Sequence, residues 1–459
     1  MYLIGEDNMK IIIVGVGKLG EYLAKSLVKD HHEVTLVDKD FYFALDVINN
    51  EDLNYICGNG LDPDVLIEAG IKDADLLISV MQEDENNIIC CLLGKKLGAE
   101  RTIARIRNNE YAKALKYFGE DLGLSMVINP DQLAADTISR VINIPRAIDA
   151  TTFLKGRILM ISIKVKEDSN LVNNSINVIT KKFKGRIIIC AIKRDGEIIV
   201  PTGATKILVG DKLYITGTLK DINGFLKEDN IISSKVRNVL ICGGSRISSY
   251  LAKTLYDMGI TVKIIEIDKE KCKELSEKLP EAIIVNGDAS DQNVLFEEGL
   301  EDCDAFITLT GIDEENIIYS MFASNIKGCK RITKINHIDL DGIEELAGID
   351  TVITPHKIAT NHIAQYVMAM QNSLKSNCSA VYTFDNCDFE MLEFNVSNDF
   401  NGLNTKLREL KLKKGILIIA ILRDKQVLFP SGTDEIRNND IIVVIDSNNQ
   451  IIELNDILD

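Results

Sequence analysis

The stretch Lys10-Ile11-Ile12-Ile13-Val14-Gly15-Val16-Gly17-Lys18-Leu19-Gly20 decides the fold. Its apolar run, Ile11 to Val14, suits a short strand covered on both faces of a parallel sheet. The run enters a Gly-x-Gly-x-x-Gly turn at Gly15, Gly17 and Gly20, after which Leu19, Leu23 and Leu27 recur at the four-residue spacing of one helix face. Glu33 to Val37 reads as a second strand ending at Asp38, 18 residues beyond Gly20 (38 − 20). Strand, glycine turn, helix, strand and acid in this order form the dinucleotide fingerprint. The first glycine permits the tight turn, the second lets backbone approach a pyrophosphate, and the third lets helix and strand pack closely. The helix N-terminus offers N–H groups and a positive dipole end to phosphate, and the acid accepts from ribose hydroxyls. Asp38 would repel a 2′-phosphate, which favours NAD or an adenine nucleotide over NADP, although Lys39 beside it weakens that preference. A glycine-rich turn without a ligand is the alternative reading.

The pattern occurs twice. Asn238-Val239-Leu240-Ile241-Cys242-Gly243-Gly244-Ser245-Arg246-Ile247-Ser248 repeats the opening, and the echo runs on at a nearly constant offset. Tyr22 answers Tyr250 (250 − 22 = 228), Asn87 answers Asn316 (316 − 87 = 229) and Pro201 answers Pro430 (430 − 201 = 229). This period is too long for a solenoid, so each copy is expected to be globular with its own core. A length of 459 residues agrees, giving roughly three domains and room for four.

Composition narrows the class. Hydrophobic residues at 46% with only 7 prolines indicate compact α/β material. A formal net charge of −17 argues against a nucleic-acid partner, which needs clustered Lys and Arg, and against adhesion to an anionic membrane. No apolar run reaches the ~18–20 residues that span a bilayer, and no signal peptide is expected. The 10 cysteines are scattered, without a C-x-x-C pair. With Cys57, Cys190 and Cys242 in apolar settings, they read as buried free thiols of a reducing compartment. No His/Cys set has metal-ligand spacing.

After Asp38, strands are expected at Leu53–Cys57, Ala74–Val80, Arg101–Ile106 and Leu124–Ile128. Helices are expected at Phe41–Asn49, Pro63–Ala69, Asp84–Leu97, Tyr111–Phe118 and Pro130–Ile144. Such alternation predicts a doubly wound parallel sheet with the ligand across the strand carboxyl ends. Gly58-Asn59-Gly60, Met81-Gln82 and Arg105 fall at those ends. Pro145 and a change of pattern place a boundary near 145–155. A small α+β unit follows, with strands Ile158–Val165, Ile187–Lys193, Glu197–Val200 and Lys212–Thr216 and a helix around Ser175–Phe183. Arg194-Asp195-Gly196 is its hairpin turn. The second copy has strands Ile416–Arg423 and Ile441–Ile445, with Asp424-Lys425 replacing the glycine turn.

Taken together, the opening Ile12-Ile13-Val14-Gly15-Val16-Gly17-Lys18-Leu19-Gly20, Val37-Asp38, Gly58-Asn59-Gly60 with Asp62-Pro63, Ala74-Asp75, Asp84-Glu85-Asn86-Asn87, Arg101 to Arg105, Pro201-Thr202-Gly203 and Gly210-Asp211 resemble the TrkA family of potassium-uptake regulators. That family is built from RCK (KTN) modules, and the resemblance covers essentially the whole chain, duplication included. It implies an α/β fold of two Rossmann-like doubly wound parallel-sheet domains, each followed by a small α+β RCK-C domain, at 9–145, 152–228, 235–372 and 378–459. It implies a cytoplasmic regulatory subunit, not an enzyme, peripheral on the inner face of the membrane. Such a subunit would form a homotetrameric ring docked on a Trk-type potassium transporter and gated by NAD(H) or by ATP/ADP. Carried over, Gly15, Val16, Gly17, Lys18, Leu19 and Gly20 form the phosphate loop. Asp38 holds a ribose, Asn59 and Gly60 lie near the adenine or ribose, Met81 and Gln82 lie at strand four, and Arg105 contacts phosphate. Family members often carry a small polar residue where this chain has Met81, which leaves a backbone contact there.

The second copy departs from the pattern: Ser245 stands for Gly17 and Ser248 for Gly20. Gly243, Gly244, Ser245, Arg246, Ile247, Glu266, Gly287, Asp288 and Lys334 are its candidates, with Glu266 at the Asp38 position and Lys334 at that of Arg105. This site is weakened, altered for a mononucleotide, or purely structural. Two other classes compete for the whole chain: an NAD-dependent oxidoreductase, and a nucleotide-sensing subunit of a different channel or transporter.

Overall fold

The structure, a computed structural model, describes residues 8–40, 53–119, 121–142, 144, 147–154, 156–183, 185–228, 236–326, 328–336, 348–375, 377–384, 389–447, 451 and 453–459. The helix expected over 41–49, Pro145 and Cys387 lie outside them. The chain divides into two compact units, residues 1–134 with 354–367 and residues 135–353 with 368–459.

The first unit holds strands β1 (Lys10–Val14), β2 (Glu33–Asp38), β3 (Asn54–Cys57), β4 (Leu76–Ser79), β5 (Arg101–Arg105) and β6 (Met126–Ile128). They form one parallel sheet in the order β3-β2-β1-β4-β5-β6. Helices α1 (Lys18–Lys29), α2 (Pro63–Glu68), α3 (Asp84–Leu97) and α4 (Asn109–Phe118) alternate with the strands. The order reverses between β1 and β4, and such a switch opens a crevice at the strand carboxyl ends. Leu19, Leu23 and Leu27 of α1 are buried, as their spacing requires, and α2 is capped by Asp62, whose side chain accepts from Asp64 N–H with Pro63 at the first helical position. Helix α5 (Pro130–Ile142) begins in this unit and ends in the second.

The second unit contains three sheets. Strands β7 (Ala147–Phe153), β8 (Ile158–Lys164), β9 (Ile187–Arg194), β10 (Glu197–Ile199) and β11 (Lys212–Gly217) form an antiparallel sheet ordered β10-β9-β11-β8-β7, with helices α6 (Ile176–Lys182) and α7 (Leu219–Glu228). Strand β7 and helix α7 were not among the expected elements. The stretch read as a domain boundary is an edge strand paired along β8. At the hairpin, Asp195 and Gly196 take φ 52° and 87°, the paired left-handed residues of a type I′ turn.

The parallel sheet recurs with β12 (Asn238–Cys242), β13 (Thr261–Glu266), β14 (Ile283–Asn286), β15 (Ala305–Thr308), β16 (Lys330–Lys334) and β17 (Thr351–Ile353), ordered β14-β13-β12-β15-β16-β17. Its helices are α8 (Arg246–Asp257), α9 (Lys269–Lys278), α10 (Gln292–Glu297) and α11 (Asp313–Phe322). Helix α12 (Pro355–Lys375) follows. The second antiparallel sheet has β18 (Cys378–Phe384), β19 (Phe389–Asn395), β20 (Ile416–Arg423), β21 (Gln426–Leu428) and β22 (Ile441–Asp446), in the matching order β18-β19-β22-β20-β21.

Each small sheet is pinned by a bidentate ion pair between a half-buried arginine and a buried aspartate. Arg194 grips Asp211 at 2.8 and 2.7 Å, and Arg423 grips Asp440 at 2.9 and 2.7 Å. Phe153, Met160, Cys190 and Tyr214 of the first small sheet share one core with Phe389, Met391, Ala420 and Ile445 of the second.

Among the described cysteines Cys57 is exposed, at the end of edge strand β3, and the other eight are buried. The buried position expected for Cys57 is therefore corrected. An edge strand leaves its last residue uncovered whatever the apolar run before it.

Candidate functional site

The glycine loop is held from both sides of the switch point. Gly15 N–H donates to Val37 O at 2.9 Å, and Val16 N–H to Asp38 Oδ2 at 2.6 Å. Asp40 N–H takes the other carboxylate oxygen at 2.9 Å. Asp38 thus fastens the loop to β2 through both carboxylate oxygens and stays half-buried.

The three glycines have different reasons for being glycine. Gly15 has φ 102°, and a Cβ there would lie 2.9 Å from Met81 N. A Cβ on Gly20 would lie 2.0 Å from Gly15 O, so this position serves helix–strand packing. Gly17 has φ −70° and ψ −177°, extended backbone open to any residue, and none of the described residues lies within 4 Å of an added Cβ. Gly17 is exposed, at the N-cap of α1, and no side chain caps that helix end. Among the described residues, neither backbone nor packing asks for glycine at 17.

The neighbouring candidates gather around this loop in different ways. Val16 and Leu19 are buried, so neither offers its side chain to the crevice. Lys18 is exposed and pairs with Glu21 at 3.3 Å. Asn59 Oδ1 accepts Leu61 N–H at 3.2 Å, and a Cβ on Gly60 would meet Val14 Cγ1 at 2.1 Å, so both already shape the turn after β3.

Met81 departs from the expected backbone contact. Its N–H donates to Asn87 Oδ1 at 2.7 Å, and its carbonyl accepts from Asn87 Nδ2 at 3.0 Å and from the Arg105 guanidinium. With both polar groups engaged, Met81 lines the loop by its surface. Arg107, which the sequence did not single out, donates to Gln82 O. Asn87, read there only as opening a helix, is the keystone. It also accepts from Ser79 Oγ at 2.9 Å and donates to Arg105 O at 2.9 Å, joining β4, α3 and β5. Its repetition as Asn316 was the available signal.

The second copy keeps the frame. Gly243 has φ 97°, with Thr310 N 2.9 Å from an added Cβ. Asn316 accepts from Thr310 N–H at 2.8 Å and donates to Lys334 O at 3.1 Å. Glu266 accepts from Gly244 N–H at 2.8 Å, as Asp38 does from Val16. Ile247 is buried and Arg246 exposed. Lys334 is 8% exposed, so its stem lies in the core rather than on an open phosphate face. A Cβ on Gly287 would meet Val294 Cγ1 at 2.9 Å. Asp288 caps its own turn through Ser290, whose hydrogen bonds hold the carboxyl below its ordinary range. Ser245 replaces the open position of Gly17 with an N-cap, its Oγ accepting Ser248 N–H at 3.2 Å.

Among the described residues no group of three or more His, Cys, Asp and Glu is arranged to hold a metal, and no helix is long and apolar enough to cross a membrane.

The TrkA-N domain family matches residues 11–130 and 239–355, and the TrkA-C domain family matches 160–228 and 391–459. The chain is similar to the Trk system potassium uptake protein TrkA of Haemophilus influenzae, 32% identical over 443 residues and covering 95% of each chain. It is also similar to the TrkA homolog of Archaeoglobus fulgidus, 30% identical over 450 residues, covering 98% of this chain and 100% of that one. Among solved structures it resembles the GsuK channel bound to NAD, with a TM-score of 0.63 at 17% identity, covering 98% of this chain and 78% of that chain. It likewise resembles the GsuK RCK domain, with a TM-score of 0.62 at 18% identity, covering 98% and 94%. At these identities the likeness to GsuK is one of fold. A duplicated Rossmann-like sheet and small antiparallel sheet, both family matches in both copies, and full-length relatives at this identity agree: the chain belongs to the TrkA family of Trk system potassium uptake proteins.

Proposed function

We propose that this chain is the nucleotide-binding regulatory subunit of a Trk-type potassium transporter, working as four modules at 9–145, 152–228, 235–372 and 378–459. The observation that carries the reading is Gly17, an exposed glycine that its backbone angles and surroundings do not require. Its N–H groups at the start of α1 would cradle a pyrophosphate, Lys18 would add charge, and Asp38 would take a ribose of NAD(H) or of ATP/ADP. The NAD in the name of the GsuK channel structure supports the same ligand class.

Nucleotide can change transport only through unequal affinity for two states of the assembly. The chain would act as a homotetrameric ring on the cytoplasmic face of the membrane, held there by its transporter partner. It is a regulator rather than an enzyme: the glycine loop and Asp38 supply binding, and their neighbours Asn87, Arg105 and Arg107 are engaged in holding backbone.

Gly17→Asp puts a carboxylate against the phosphates and should abolish NADH and ATP binding in calorimetry while the melting temperature stays within a few degrees. Unchanged affinity would refute the site. Potassium-dependent growth of an uptake-deficient cell should be rescued when this chain is supplied with a matching membrane subunit. Steady NADH oxidation with small ketones or hydroxy acids would instead establish an oxidoreductase.

A further inference from the structure

We infer that the second glycine loop is closed by the chain's own side chains, with Lys271 standing where a ligand contact would be, so that each chain takes one nucleotide, in the first loop. This rests on the nucleotide reading of the first loop given above.

Three features close the second loop. The first is the acid. Glu266 accepts from Gly244 N–H at 2.8 Å, from Asp268 N–H at 3.0 Å and from Lys271 Nζ at 2.8 Å. Its side chain is 7% exposed. Burial alone would raise the Glu266 carboxyl, but the bonds from Lys271, Asp268 and Gly244 hold it below its ordinary range. A ribose hydroxyl would have to displace a charge-assisted bond between an ammonium and a buried carboxylate, and a neutral donor is the weaker partner. The residue aligned with Lys271 in the first copy is the uncharged Phe43 (271 − 228 = 43).

The second feature is a lid of carbon. Leu275, one turn beyond Lys271 on α9, packs on Gly244, where an added Cβ would meet Leu275 Cδ1 at 2.4 Å. Gly244, at the position of Val16, is buried beneath this helix.

The third is the helix end. Ser245 Oγ lies 2.9 Å from Ser248 Oγ, and Ser248 Oγ donates to Gly243 O at 2.5 Å. Ser245 also accepts Ser248 N–H, so one of the N–H groups at the N-terminus of α8 is satisfied from within the loop. Among the described residues the first loop has no such cap, and Gly17 has no side chain in the place that Ser245 fills. The two loops share a frame and differ in who supplies the contacts: a ligand in one, Lys271 and two serines in the other.

Calorimetric titration of the full chain with NADH, NADPH and ATP tests this. The expected result is one equivalent per chain, weakened about 100-fold or more in Gly17→Asp, a loss on the scale of two charge-assisted contacts. Two equivalents per chain, or any of the three probes binding the folded Gly17→Asp chain with less than about a tenfold loss, would overturn the inference. No binding of any probe to the wild-type chain would instead overturn the reading of the first loop. The triple variant Lys271→Ala, Ser245→Gly, Leu275→Ala removes one contact from each of the three features and should gain a second equivalent. A triple variant that melts cooperatively and still takes one equivalent would show that these residues are not what closes the loop.

Discussion

Two buried or strained residues carry measurable consequences of their own. His32 is 5% exposed, and Met9 N–H donates to its Nδ1 at 3.4 Å. Burial pushes its pKa down to about 4. In the unfolded chain it titrates near 6.5, so between these values the unfolded state binds the extra proton. Stability present above the unfolded value is lost as pH falls toward 4, by up to about 3 kcal/mol. Melting curves from pH 7 to pH 4 should fall less steeply for His32→Gln than for the wild type; parallel curves would exclude His32 as a cause. At the second hairpin, Asp424 and Lys425 take φ 48° and 68°, reproducing the type I′ turn that Asp195-Gly196 makes in the first copy. Lysine pays in strain for a conformation glycine adopts freely, so Lys425→Gly should stabilise the chain by about 1 kcal/mol, read as a higher urea midpoint.

At the scale of elements, the end of helix α5 is held by a residue far away in sequence. Lys330, at the start of β16, is 8% exposed, and its Nζ donates to Val141 O at 2.5 Å, Ile144 O at 2.8 Å and Ala147 O at 3.2 Å. Burial pushes the Lys330 pKa down to about 7, while its ammonium form has three N–H donors to match three carbonyls at the negative dipole end of a helix. Thr351 Oγ1 adds a bond to Ala147 O at 3.0 Å. Lys330→Met keeps the apolar stem and removes the donors. It should cost about 1–3 kcal/mol and speed amide exchange at Ile144 and Ala147 more than at β12; a uniform change across the unit would argue against a local clamp. Nothing in the sequence pointed to this lysine, because its partners are backbone carbonyls, which carry no residue signature. Elements with a period of their own were readable. The α1 leucines, the β1 run and the Arg194-Asp195-Gly196 turn each reveal themselves within a few residues. Strand β7 was not readable, because Ala147-Ile148-Asp149-Ala150-Thr151-Thr152-Phe153 has no strict alternation and becomes a strand by pairing along β8.

For the whole molecule, the duplication shows in the core as well as in the chain. The two small sheets, ordered alike, meet in one apolar cluster, where Tyr214 and Phe389 pack edge to face at 4.8 Å and Phe153 and Tyr382 do so at 4.6 Å. Glu393 crosses the same junction, accepting Leu154 N–H at 2.8 Å and the Tyr382 hydroxyl at 3.3 Å. Phe389→Ala should destabilise the chain by about 3–5 kcal/mol, with the loss appearing in a single transition of the second unit; two separate transitions would show that the small sheets fold independently.

By itself the sequence determined the α/β class, the repeat, the first loop with its acid and the kinship with potassium-uptake regulators. These rest on local periodicity and on motifs whose parts are close along the chain. Only the tertiary structure decided how each candidate is packed and bonded. It distinguished the open Gly17 from the packed Gly20, gave Met81 and Asn59 tasks within the fold, and set Lys271 on Glu266. Those outcomes depend on what lies opposite each residue across a turn, a strand end or a neighbouring helix, and spacing along the chain does not encode that.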